Sequence, residues 1–587
     1  MRGMGGRQVH DHIYVQRNYA SPSNTQAPAE EMADIYQPLQ DSDISSHDIS
    51  NELSQSFRVL KLCHGDAGSN ITGHISNTTI GTAQRQYDAI SYVCGDPQKS
   101  ACMFVNGKRF PVTANLYECL AHLRPARSDR QLWIDAVCIN QWDLDERSLQ
   151  VQRLGSVYSK ARSVIVFLGP ERDSSSDALL LLEQLSGIAL GNHDAIRELL
   201  EEASRASSWQ ALLQFFARPW WTRAWIVQEY VIGAEVTLLC GYSKLSGHLF
   251  GKAMENLVDY RFKATVAKRH ESLIRHVAKT PIHHLWSARY EHHHDIGRTN
   301  SQAMNVLYKF RGSQCSDPRD KVFSIWSLIE QHPLLKPSYT MDTRSVYEAV
   351  VQAAIESSGD LEVLTHHNRS VGSSLDLPTW CPDWTVLRGK RIRLWPNEYQ
   401  ACGFSNHASF KLVNHTLILK GIEVARIEHL ESFESNDFRN EHYIRQKLYD
   451  VEHQACESSQ SDCDRMVRLD ELRRTFVACK VRPDGPQGGV EELETGAGHR
   501  LWDAWCSAIG EPLRQEKDQD SKVYGEALYS ALSGRCVFFS NTGQFGLVDG
   551  TAKAGDLVYI FAGGLVPFAI RHRVHLGAQV FELVGEW

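Results

Sequence analysis

Glu229 stands four positions after Trp225 and eight after Trp221, in the stretch RPWWTRAWIVQEYV that begins at Arg218. A carboxylate among aromatic side chains is a group that chemistry can use. Partial burial raises its pKa and strengthens its effect on charge that develops nearby. Pro219 suits the first turn of a helix, and a helix from that point would put Trp221, Trp225 and Glu229 on one stripe. Trp225 would then offer a stacking surface beside the carboxylate. A second reading stays open: Glu229 pairs with Arg223, and Trp220, Trp221 and Trp225 pack a core, as tryptophans ordinarily do.

A reacting carboxylate needs a crevice around it. In an open parallel sheet ligands bind beyond the carboxyl ends of the strands. Tyr92, Gly95 and Asp96 follow the apolar run DAIS, and Asp135, Asn140 and Gln141 follow LWI, so these six are the candidate lining. Arg147 and Arg223 are candidate anion ligands, with ordinary salt bridges as the plainer alternative. His283 and His292 to His294 crowd into HHLWSARYEHHH, but their spacing matches no familiar zinc pattern, and no metal is assigned. Neither G-x-G-x-x-G, G-x-x-x-x-G-K-[ST] nor G-x-S-x-G occurs, which leaves Rossmann, P-loop and hydrolase-elbow sites without support.

The elements that must position these residues are those of an α/β fold. YDAISYVCG, LWIDAVCIN, SVIVFLG and VTLLCG are apolar runs of strand length. DAISYV, WIDAVC and SVIVFL are predicted as neighbouring buried strands of a parallel sheet, because two helix-covered faces require nearly continuous apolar character. Between the second and third runs Val151, Leu154, Tyr158 and Ala161 recur at helical spacing, and Asp143 with Glu146 resembles a capping box. Gly233 is the expected stop of the Glu229 helix. The predicted organisation is a mostly disordered tail over residues 1–56, an α/β domain over 57–242 and a mainly helical region over 243–400. A β-rich end follows over 401–587, with a charged insertion at about 434–522. The Gly-separated runs from Arg535 to Arg571 predict antiparallel strands that cover or regulate the first domain.

Composition bounds the partners. A formal net charge of −8 over 587 residues provides no basic field for phosphates, so nucleic acid is not an expected partner. No run of about twenty apolar residues occurs and MRGMGGRQVHDHIYVQ lacks a signal-peptide core, which predicts a cytoplasmic chain without a membrane span. The 14 cysteines include no C-x-x-C pair. Cys94, Cys138 and Cys240 fall in apolar runs and are expected to be reduced residues of buried strands.

Four ordered motifs together resemble the fungal heterokaryon incompatibility (HET) domain family: YDAISYVCGDP, VNGKRFPVTANLYECLAHLR, LWIDAVCINQWDLDERSLQVQRLGSVYSKARSVIVFLG and RPWWTRAWIVQE. CSDPRDKVFSIWSL, LPTWCPDWT and GQFGLVDGTAKAGDLVYIFAGGLVPFAIR resemble segments that accompany this domain. Cys94 departs from the tryptophan the family usually places there. The resemblance implies a cell-death effector in self/non-self recognition, triggered by a protein partner or by self-association, with a TIR-like sheet. YDAISY is similar to the first TIR strand, and WWTRAWIVQE to the TIR helix whose glutamate supports NAD+ cleavage. That implies Glu229 as the catalytic residue and NAD+ as substrate, with no bound cofactor. The alternative is a non-enzymatic adaptor whose HET domain mediates protein–protein interaction.

Overall fold

The computed structural model describes residues 35–39, 52–263, 274, 281–294, 302–329, 333–366, 375–386, 399, 401–403, 407–457, 461–481, 491–494, 496–508, 519–575 and 578–586. Most of the expected N-terminal tail lies outside these. The first part of the chain builds a nine-stranded sheet from β1 (Ser56–Leu62), β2 (Thr72–Thr79), β3 (Asp88–Tyr92), β4 (Ala101–Val105), β5 (Lys108–Val112), β6 (Arg130–Trp133), β7 (Ser163–Phe167), β8 (Val236–Cys240) and β9 (Ser243–Ser246). Their order is β5-β4-β2-β1-β6-β3-β7-β8-β9.

The sheet is mixed, which corrects the expectation of a parallel one. Its centre is parallel: β3 pairs with β6 on one side and β7 on the other, and β7 pairs with β8. β3 is buried at every position and β7 at all but its first, as helices on both faces require. Antiparallel pairs flank the centre because tight turns return the chain beside itself. Asn106 and Gly107, both at positive φ, join β4 to β5, the backbone that two-residue hairpins favour.

WIDAVC is a second correction. Its strand ends at Trp133, and Asp135–Cys138 forms one helical turn in which the Val137 and Cys138 amides donate to the Ile134 carbonyl. A short apolar run does not by itself distinguish a strand from a buried turn. Cys138 is therefore buried in that turn, and Cys94 is exposed in the loop after β3; only Cys240 sits in a buried strand as expected. Helix Leu144–Lys160 crosses from β6 to β7, with the Asp143 carboxylate accepting from the Asp145 and Glu146 amides. The Glu146 carboxylate does not close the capping box. It turns to Arg58 of β1 and to the Asn140 amide.

The tryptophan stretch is not one helix. Pro219–Thr222 is a 3-10 turn, Arg223 is extended at φ −72 and ψ 144, and the α-helix runs from Ile226 to Ile232 with Trp225 as its N-cap. The expected stripe is thus broken: Trp221 packs among Phe215, Phe216 and Phe250, whereas Trp225 and Glu229 share a turn. Gly233 caps the helix, as expected.

Helices Gly247–Lys263, Pro281–His293, Gln302–Phe310 and Thr343–Ser358 follow. A hairpin of β10 (Phe410–Val413) and β11 (Thr416–Leu419) leads into an antiparallel region. There β12 (Gly421–Phe433) is followed by the short ladder of β13 (Lys480–Val481) and β14 (Glu491–Glu492), then by β15 (Arg535–Ser540), β16 (Phe545–Asp549), β17 (Leu557–Phe561), β18 (Phe568–His575) and β19 (Ala578–Glu586). Six of these strands form one sheet in the order β16-β15-β12-β17-β18-β19, the antiparallel end that the sequence predicted. The charged insertion holds helices Glu441–Cys456, Asp462–Thr475, Ala497–Ala508 and Gln519–Leu532 around a second core that buries Phe476, Trp502, Trp505 and Tyr524 together with Phe433, Val537 and Leu547 of the sheet.

Candidate functional site

The parallel centre ends on one side in the loops after β3 and β6, and the candidate residues collect there. Ser91, the polar residue inside DAISY, is 1% exposed. A buried hydroxyl needs partners, and Ser91 has two: the Trp220 indole N–H donates to its oxygen at 2.7 Å, and it donates in turn to the Glu229 carboxylate. Glu229 is 5% exposed and carries Arg223 Nη1 at 3.6 Å from its Oε2. The same Nη1 donates to the Tyr92 carbonyl at the end of β3. The extended residue that breaks the helix is therefore what returns the guanidinium over the strand end.

Burial pushes the Glu229 carboxyl above the usual range, with Arg223 and the Ser91 hydroxyl opposing the rise and Asp135 adding to it. Burial likewise raises Asp135, against the pull of Arg223 and Arg147. For Arg223 burial works against the charge, and Glu229, Cys94 and Asp135 outweigh it. The result is one cation shared by two reluctant acids. Tyr92 and Cys94 complete the surroundings, their sulfur–oxygen contact at 3.8 Å, and burial raises the Tyr92 hydroxyl, with Asp135 adding to the rise.

The other candidates hold the loops. Gly95 has φ +70, and a Cβ there would meet the Asn115 amide at 2.5 Å, so both conformation and space call for glycine. Asn115 donates to the Val93 carbonyl at 3.2 Å. Asp96 accepts from the Gln98 amide at 3.0 Å, Asn140 from the Trp142 amide at 3.3 Å, and Gln141 donates to the Asp135 carbonyl at 2.9 Å. These side chains shape turns of the loops that flank Tyr92 and Asp135.

Arg147 and Trp225 lead to a part of the site that sequence reasoning missed. The Trp225 indole donates to Asp320 Oδ2 at 3.1 Å, and the Tyr339 hydroxyl donates to its Oδ1 at 2.7 Å. Arg147 lies 3.8 Å over the Tyr339 ring. Asp320 and Tyr339 belong to the region after the nine-stranded sheet, which also bonds the Arg223 segment: the Ala224 amide donates to the Gln314 carbonyl at 2.8 Å. Burial pushes the Asp320 carboxyl up to about 6, with Asp317 adding to the rise and Tyr339, Trp225 and Arg147 opposing it. The signal for Ser91 was present as a hydroxyl in an apolar strand; nothing near Trp225 in sequence points to Asp320.

His293 and His294 accept roles at helix ends, with ring nitrogens 3.0 Å from the Val231 carbonyl and 2.9 Å from the Tyr290 carbonyl. His283 has no described side chain. Among the described residues no three His, Cys, Asp or Glu side chains are placed to hold a metal ion, and no helix is long and apolar enough to cross a membrane.

Residues 87–229 match the family model described as Heterokaryon incompatibility protein (HET). The match begins at Tyr87, just before β3, and ends on Glu229. Over 621 aligned positions the chain is 25% identical to "Heterokaryon incompatibility protein 6, OR allele" of Neurospora crassa, covering 85% of this chain and 88% of that protein. No solved structure matches.

Proposed function

Since the chain is a protein of the heterokaryon incompatibility (HET) domain family, we propose that it is a cytoplasmic cell-death effector of heterokaryon incompatibility whose HET domain cleaves NAD+ at Glu229. The observation that carries this reading is the shared cation: a buried carboxylate paired with Arg223, against the end of the central parallel strand. The strand order supports a TIR-like core. Numbered by appearance, the parallel strands β6-β3-β7-β8 run 2-1-3-4, the doubly wound order whose ligands bind where the winding reverses beside the first strand. Glu229 lies on the helix between the third and fourth of them.

The chemistry asks for little machinery. As nicotinamide departs with the electron pair of the glycosidic bond, positive charge develops on the ribose, and a carboxylate there stabilises it. Water then adds, giving ADP-ribose and one proton. Arg223 opposes the protonation that burial favours at Glu229, Trp225 offers a face for a ring, and Tyr92, Asp135 and Arg147 line the approach. Binding of a trigger protein or of a second copy opens or completes the pocket.

One observation favours a second reading. Glu229 is sealed by Ser91 and Arg223 at 5% exposure, as a purely structural ion pair in a signalling adaptor would be. Expression of the parent and of Glu229→Gln in fungal cells separates the two. The NAD+ reading expects the parent to deplete cellular NAD+ before death and the variant to do neither. Killing by the parent without NAD+ loss would establish the adaptor reading instead.

A further inference from the structure

Residues 35–39 lie in sequence well before β1, yet Ile35 and Tyr36 are buried in the same core as the nine-stranded sheet. The Tyr36 hydroxyl donates to the Val137 carbonyl at 3.1 Å, and its ring meets the edge of Phe110 at 6.5 Å. Arg58 of β1 lies 5.0 Å over that ring and donates to the Gln37 carbonyl at 2.8 Å, while Asn77 of β2 donates to the Pro38 carbonyl at 3.0 Å. Pro38 restricts its own φ and biases Gln37 toward an extended backbone, which presents the two carbonyls. Short peptides are recognised in this way, by backbone hydrogen bonds with one or two side chains in pockets.

The receiving surface is also the support of the candidate loop. Arg58 donates to the Cys138 carbonyl at 3.3 Å and grips both Glu146 oxygens at 2.6 and 2.9 Å. Glu146 accepts in turn from the Asn140 amide at 2.7 Å. Val137, Cys138 and Asn140 are thus each bonded to the segment or to the groups beneath it, and they lie within the loop that bears Asp135, Asn140 and Gln141.

We propose that the groove formed by Arg58, Asn77, Phe110 and Val137 is a docking site for an extended tyrosine–proline segment, filled by the chain's own Ile35–Pro38, and that this segment latches the Asp135–Gln141 loop. Among the described residues three hydrogen bonds, the Tyr36 ring and the Ile35 side chain hold it, a contact small enough to be exchanged without unfolding the sheet. Control of substrate access by the latch rests on the function proposed above; the latch itself does not.

Hydrogen exchange tests it without NAD+, so a chain inactive on NAD+ leaves the result readable. In the full chain Tyr36→Ala is expected to speed exchange of the amides from Val137 to Asn140 by about tenfold or more, as local opening does. The strands β15 to β19 should be unchanged, which reports that the variant is folded. A chain lacking residues 1–39 serves as the second variant. On it, a synthetic peptide of residues 31–40 should restore protection, and the same peptide with Tyr36→Ala should not. Unchanged loop exchange in either folded variant, or a peptide without effect, overturns the proposal. Loop protection in the parent that rises with protein concentration overturns the assignment of the occupant to the same chain.

Discussion

Glu229 and Asp320 are buried carboxylates held in opposite ways. Glu229 has a guanidinium beside it, whereas Asp320 is held by two neutral donors, the Tyr339 hydroxyl and the Trp225 indole. Burial outweighs those two hydrogen bonds, so Asp320 keeps its proton up to about 6, against 3.8 for an ordinary aspartate. The folded protein holds this proton to higher pH than the unfolded chain does, so the stabilising contribution is fully present below 3.8 and is lost as pH rises through about 6. Asp320→Asn, which has no charge to bury, should gain about 2 to 3 kcal/mol on the parent between acid and neutral pH, read from denaturant midpoints. Parallel midpoints over that range would mean that Asp320 titrates alike in the folded and unfolded chains. Sequence spacing made Glu229, Arg223 and Trp225 legible as a group because they are neighbours in the chain. The partner of Trp225 was not legible, since the hydrogen bond that selects Asp320 joins positions 95 apart.

At the scale of elements, strands β3, β7 and β8 were readable from their apolar runs, and the helix from Leu144 from its cap and periodicity. What was missed followed from local polar bonds that hydrophobicity does not encode. The Ile134 carbonyl turned half of WIDAVC into a helical turn, and Arg223 broke the tryptophan helix to reach the Tyr92 carbonyl. Glu146 illustrates the same lesson, taken from its expected cap by Arg58, which is 1% exposed. Glu146→Ala would leave that guanidinium buried without its counterion and should cost about 3 to 5 kcal/mol, measured by denaturation. A loss under about 1 kcal/mol would show that solvent reaches Arg58 and replaces the carboxylate.

Across the whole molecule, the sheet, the helical region after it and part of the C-terminal sheet share one core. Leu557, Phe561, Phe568 and Leu583 pack in the same cluster as Leu60, Ile90 and Tyr347. The Gly-marked runs made the antiparallel end legible, but its anchoring was not, because contacts such as the Leu361 amide on the Gly563 carbonyl join segments remote in sequence. The Arg535–Glu586 pair, with both side chains 2% exposed and 2.9 Å apart, fastens the last strand. Glu586→Ala should therefore lower stability by about 3 kcal/mol or more; an unchanged thermal midpoint would show that the Arg535–Glu586 pair does not fasten β19. Nicotinamide release by purified, concentrated full-length protein tests most directly the chemistry proposed at Glu229. The parent should release nicotinamide from NAD+, and a folded Glu229→Gln should do so at least about tenfold more slowly, a loss of about 2 kcal/mol or more of transition-state stabilisation if the charge matters. Equal release by the two proteins would contradict the claim by removing the glutamate from the mechanism.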